Sequence, residues 1–156
     1  MSAIKEIKLY NFKAFYDETS IELKDNHLLL YGENGSGKSS IYWSLYTLLQ
    51  SSTKDITEIE KYFDPTNSEN LINTTLIDKL TSIDEITKVV TSPTTISNNA
   101  AIEVELMDGK KFILSPKGIE TTELEYLKNL NRRSDFISHR LLINFYNFRN
   151  SKKINL

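Results

Sequence analysis

The sequence contains no cysteine, which excludes disulfides and thiolate metal sites and agrees with a cytoplasmic location. No apolar run approaches the roughly 20 residues that a membrane-spanning helix needs, and the N-terminus carries no signal-peptide pattern. Positive charge is not in excess either. The 19 Lys and Arg residues against 21 Asp and Glu leave a formal net charge of −2, which argues against a strongly basic DNA-coating protein. What is present is a chain of 156 residues, one domain's length, with the apolar and aromatic content of a globular fold.

The near-neutral average hides an asymmetry. Lys128, Arg132, Arg133, Arg140, Arg149, Lys152 and Lys153 crowd the C-terminal part against a single acid, Asp135. The middle is acidic, with Asp55, Glu58, Glu60, Asp64, Glu69, Asp78, Asp84 and Glu85. A basic end can serve as an electrostatic footprint for nucleic acid, or it can be a solvated or partner-facing surface.

The most informative stretch is Gly32-Glu33-Asn34-Gly35-Ser36-Gly37-Lys38-Ser39, which fits the phosphate-binding pattern G-x-x-x-x-G-K-[ST] without a mismatch. The apolar run His27-Leu28-Leu29-Leu30-Tyr31 precedes it and reads as a buried strand, while Ile41, Leu45, Leu48 and Leu49 follow at helical spacing. Glycines at 32, 35 and 37 can take positive φ and hold no side chain against a phosphate. Backbone N–H groups can then form an anion nest at a helix N-terminus. Lys38 is placed to reach the β- and γ-phosphates, and the Ser39 hydroxyl to ligate Mg2+. The pattern therefore predicts a nucleoside triphosphate site.

The remaining chain reads as follows. Residues 3–10 form a strand with Ile7 and Leu9 on one face, Asn11 to Phe15 break its pattern, Tyr16-Asp17-Glu18 reads as a turn, and Ile21 and Leu23 as a second strand. From Ser51 to Asn99 the chain is polar and acidic, with short helices around Ile56–Phe63 and Leu71–Leu80 and a loop from Thr91. Asp108-Gly109 between two alternating runs predicts a hairpin over 101–115. Residues 121–130 and 134–147 read as helices, the first capped by Thr121 or Thr122 with Leu124, Leu127 and Leu130 as its stripe, the second capped by Ser134 with Phe136, Ile137, Leu141 and Phe145 inward. Tyr10-Asn11-Phe12-Lys13 is echoed by Tyr146-Asn147-Phe148-Arg149.

Residues 1 to about 50 resemble the N-terminal segment of SMC-like ATPases, the RecF/RecN/SMC branch of the ABC ATPase superfamily. The residues that carry the resemblance are Ile7 to Phe15, ending in an N-F-[KR]-x-F pattern, then Ile21-Glu22-Leu23, then Leu30 to Ser40 with its G-x-N-G-S-G-K-S-[ST] loop. The resemblance implies an α/β P-loop NTPase, an ABC-type half-head with an antiparallel β layer that takes in the 101–115 hairpin, a strand–P-loop–helix core and a C-terminal helical part. Residues 1–156 are then one N-terminal ATPase domain with a polar insertion at about 51–99. It also implies ATP and Mg2+ as cofactors, with Gly32, Asn34, Gly35, Ser36, Gly37, Lys38, Ser39 and Ser40 around the phosphates and Ser39 as the metal ligand. Lys13 matches the basic residue that lies close to the nucleotide in that branch; its other reading is an ordinary turn lysine. His139 stands where a Mg2+- and water-holding glutamine is expected, and is the one catalytic candidate; it reads equally well as a surface histidine.

The departures concern hydrolysis. In that branch ATP is sandwiched between two heads and needs a signature loop, an apolar strand ending in Asp-Glu and a switch histidine. Glu103-Val104-Glu105-Leu106-Met107-Asp108 alternates, and Ser82-Ile83-Asp84-Glu85 has no apolar strand before it, so neither supplies the acidic pair. The expectation is an ATP-binding half-head that turns over poorly by itself and is completed by a second head, in a homodimer or as a C-terminal half. The complete protein would act on DNA in repair or anti-phage defence. A nucleotide-sensing module that binds ATP without turnover is the alternative. The lack of an aromatic stacking loop before the phosphate loop argues against a transporter subunit.

Overall fold

The computed structural model describes residues 2–23, 27–81 and 97–137. Two strands open the chain, β1 (Ile4–Phe12) and β2 (Phe15–Glu22), and the helix α1 (Lys38–Ser51) follows the glycine loop. Two short helices come next, α2 (Ile56–Glu60) and α3 (Thr74–Leu80), then β3 (Ala101–Leu106), β4 (Lys111–Ser115), β5 (Gly118–Glu120) and α4 (Leu124–Arg132). The five strands form one antiparallel sheet in the order β2-β1-β3-β4-β5.

Alternation explains the sheet. Ile7 and Leu9 of β1 lie opposite Val104 and Ile102 of β3, which in turn face Phe112 and Leu114 of β4. All six are buried on one face, and α1 and α4 cover it with Ile41, Leu48 and Leu127. The other face carries charge, organised as cross-strand pairs such as Lys5–Glu105 at 2.6 Å and Lys111–Glu103 at 2.7 Å. Asp108 and Gly109 turn the chain between β3 and β4, with Gly109 at φ 83, so the D-G hairpin forms as its sequence predicts. The polar stretch after α1 joins the same core: Ile59, Phe63, Ile72 and Leu76 are buried with the sheet residues.

Four expectations are corrected. Tyr16-Asp17-Glu18 is not a turn but part of β2, with Asp17 at φ 61 inside the strand. The turn falls earlier, at Lys13 and Ala14, because the Asn11 side chain accepts the Asp17 N–H (2.9 Å) and closes the corner. Of the helix expected over 134–147, residues 134–137 are not helical and 138–147 lie outside the described residues; the Ser134 hydroxyl donates back to Leu130 O (2.7 Å), at the end of α4. In α4 itself Glu123 is the N-cap residue rather than Thr121 or Thr122, and Leu124 is exposed, leaving Leu127 as the buried anchor.

The fourth correction matters most. His27 to Tyr31 belong to no strand, and Leu29 and Tyr31 are 90% and 94% exposed. An apolar run is buried as a strand only when another strand lies beside it. The free edges of the sheet are β2 and β5, and neither pairs with 27–31. No helix among the described residues is long and apolar enough to cross a membrane.

Candidate nucleotide site at the phosphate loop

The loop from Gly32 to Gly37 ends directly on α1. Gly37 is the N-cap residue in a left-handed conformation (φ 89, ψ 0), and its carbonyl accepts the N–H groups of Ser40 (2.9 Å) and Ile41 (3.3 Å). A β-carbon at Gly37 would come within 2.8 Å of Phe15 Cζ, so a side chain at position 37 must displace that ring and strain a left-handed backbone. Residues 32–36 are exposed, and the first N–H groups of α1 have no intrahelical acceptor. The helix carries no acidic residue in its first turn, which leaves its positive end free for an anion.

Lys38 is folded over the loop. Its Nζ donates to Gly32 O and Glu33 O, each at 2.6 Å, and lies 3.2 Å from Ser36 Oγ. The ammonium is thus held in the middle of the loop by neutral acceptors, which phosphate oxygens can replace with charge-assisted bonds. Ser39 is exposed on the first turn. Among the described residues no group of three or more His, Cys, Asp or Glu can hold a metal ion.

The corner between β1 and β2 sits on this loop. Phe15 packs on Gly37, and the Ala14 N–H donates to Ser40 Oγ (3.3 Å). Lys13 has φ 49, and its Nζ lies 5.8 Å from the ring centroid of Trp43, one turn along α1 from Ser39. Burial holds the Lys13 ammonium below the ordinary lysine range. The neighbours of Lys13, Ala14 and Phe15, thus touch Ser40 and Gly37, while the Lys13 side chain lies over Trp43 on α1.

α1 is unusual in what it hides. Ser40, Ser44, Thr47 and Ser51 are buried with Ile41 and Leu48, so small hydroxyl side chains let the helix approach the sheet closely. Its other side is aromatic: Tyr42 and Tyr46 stack at 6.2 Å, Phe136 meets both edge-on, and Trp43 is 41% exposed.

The acidic candidates are occupied elsewhere. Glu103, Glu105 and Asp108 pair with Lys111, Lys5 and Lys110. Asp84, Glu85 and His139 lie outside the described residues, as do Arg140, Arg149, Lys152, Lys153 and the second half of the Tyr10–Lys13 echo. Of the basic end, Lys128 pairs with Glu125 (2.7 Å), while Arg132 and Arg133 are exposed at the end of α4.

Asn11 and Phe15 stand in the N-F-[KR]-x-F pattern but had no role assigned from sequence, and Asn73 was missed altogether. Asn73 donates its side-chain N–H to Lys13 O (2.7 Å) and its backbone N–H to Asn11 O (2.8 Å). Sixty positions separate Asn73 from Lys13, and no local pattern signals such a contact.

No curated protein matches the chain. The AAA ATPase domain family matches residues 3–155, nearly the whole sequence, and the match takes in the phosphate loop, the corner above it and the sheet. That family implies nucleotide binding, with ATP as the nucleotide. The chain belongs to the AAA ATPase domain family.

Proposed function

We propose that this chain is the ATP-binding portion of an SMC/RecF-like ATPase that works on DNA, in repair or in defence against phage, and that needs a further segment to hydrolyse ATP. One observation carries the reading: the phosphate loop is formed and docked, yet the apolar run leading into it, Leu28 to Tyr31, is exposed and unpaired among the described residues. A half-head of ABC type, residues 1–156 with the 51–99 insertion, accounts for both. Its missing neighbour, a second head or a C-terminal half, supplies the strand that covers 28–31 and the carboxylates that activate water.

In this reading Gly32 and Asn34 to Ser40 wrap the triphosphate, Lys38 bridges its β- and γ-oxygens and Ser39 ligates Mg2+. Lys13 contributes a second cation from the β1–β2 corner. His139 is the remaining candidate for orienting water. DNA contact falls to the basic end, from Lys128 onward, because on the outer sheet face the lysines Lys5, Lys8 and Lys111 are already paired with Glu105, Glu6 and Glu103.

A second reading is a nucleotide sensor that binds ATP and does not turn it over. The ion-paired state of Glu103, Glu105 and Asp108 favours it, since none is left to act as a base. A Mg·ATP titration with phosphate release followed in the same samples, with and without DNA, tests both. Binding without release, unchanged by DNA, supports the sensor. Release that appears only with a completing head supports the half-site.

A further inference from the structure

We propose that Asn73 is a positioning residue for the nucleotide site: it clamps the Asn11–Lys13 corner in its left-handed form and so sets the Lys13 ammonium beside the phosphate loop. The proposal rests on the nucleotide-binding reading above and extends it to a residue in the polar stretch after α1.

The corner needs a clamp. Asn11 (φ 45) and Lys13 (φ 49) both occupy a backbone region that non-glycine residues rarely adopt. Such conformations persist only where surrounding contacts over-determine them. Here residues 71–73 do so. The Lys13 N–H donates to Leu71 O (2.8 Å), Phe12 bridges to Ile72, and Asn73 grips the carbonyls of Asn11 and Lys13 at 2.8 and 2.7 Å. Asn73 is itself buried, 6% exposed, so these bonds do not compete with water.

The same side chain has a second task. Asn73 Oδ1 accepts the Thr75 N–H (2.9 Å) and caps α3. One amide therefore ties the start of α3 to the backbone of Lys13. On the other side of the corner Phe15 and Ala14 are fastened to Gly37 and Ser40, so the residues just after Lys13 anchor the corner to the loop wall. Loss of the Asn73 donor frees only the Lys13 side of this arrangement.

Trp43 provides the readout, because it is the only tryptophan in the chain and Lys13 Nζ stands 5.8 Å from its ring. The experiment uses the full chain as wild type, Asn73→Ala, Asn73→Ser, Lys13→Met, the Asn73→Ser/Lys13→Met double variant and Lys38→Ala. Serine keeps an oxygen able to cap α3 but is too short to reach Lys13 O, so it separates positioning from folding. Mg·ATP affinity is measured by calorimetry, Trp43 emission without nucleotide, and folding by thermal melting.

The expected result is that Asn73→Ser melts close to wild type, shifts Trp43 emission in the direction of Lys13→Met and weakens Mg·ATP about fivefold, the scale of one lost hydrogen bond. The double variant should bind as Lys13→Met alone does, since the two residues act through one another. Wild-type emission and affinity in Asn73→Ser, or losses that simply add in the double variant, overturn the proposal and leave the nucleotide reading intact. A wild type that binds no better than Lys38→Ala overturns the nucleotide reading and this role with it.

Discussion

Phe15 rests on Gly37 so closely that a β-carbon at position 37 would stand 2.8 Å from its ring. This contact joins the β1–β2 corner to the phosphate loop, and with the bond from Ala14 to Ser40 it makes the loop a product of tertiary packing as well as of glycine content.

Gly37→Ala should therefore do two things at once. It forces a left-handed alanine and a clash with Phe15, at a combined cost of about 1–3 kcal/mol in urea unfolding. It should also abolish measurable Mg·ATP binding, because the displaced ring moves the corner away from Ser40. Wild-type stability and affinity in this variant would remove the packing argument.

The exposed run gives the opposite expectation. Leu29→Ser and Tyr31→Ser should each change the stability of this chain by about 0.5 kcal/mol or less, as surface substitutions do. Both should reduce self-association in sedimentation velocity, since Leu29 and Tyr31 form an exposed apolar patch. A loss above about 2 kcal/mol would mean that 27–31 is buried in the folded chain.

What the sequence made legible and what it hid divide along physical lines. The phosphate loop, α1 and the D-G hairpin are local: their signals are glycine positions and short-range periodicity, and each forms where expected. The strand at 27–31 failed because burial is a property of neighbours, and an all-apolar run carries no information on whether a neighbour is present. The β1–β2 corner was misplaced by a few residues because its left-handed positions are filled by Asn11, Lys13 and Asp17, not by glycine. Asn73 and the packing of Phe15 on Gly37 were invisible because their contacts cross long sequence separations.

Lys13 gives a pH signature. Burial lowers its folded pKa below that of the unfolded chain, so the unfolded state holds more protons in the window between the two values. Its contribution makes stability rise with pH as the window is crossed towards the ordinary lysine value of 10.5. Lys5, Lys61, Lys110 and Lys111 act the other way: carboxylate hydrogen bonds raise their pKa values, and the stability they give is lost as pH rises through them. The difference between wild type and Lys13→Met isolates the one from the others. Urea unfolding from neutral to alkaline pH should find Lys13→Met more stable at neutral pH, with the gap closing as pH rises. A gap that widens contradicts the burial of this ammonium.

The most direct measurement is a Mg·ATP titration of this chain beside Lys38→Ala, with phosphate release followed in the same tubes. Lys38 crosses the loop to Gly32 O and Glu33 O, and its removal takes away the one positive charge of the loop. The account predicts saturable binding by wild type, loss of affinity of about 100-fold or more in Lys38→Ala, the scale of about 3 kcal/mol for charge-assisted bonds, and no phosphate release from either. Equal binding by the two proteins, or steady release by wild type alone, would contradict it.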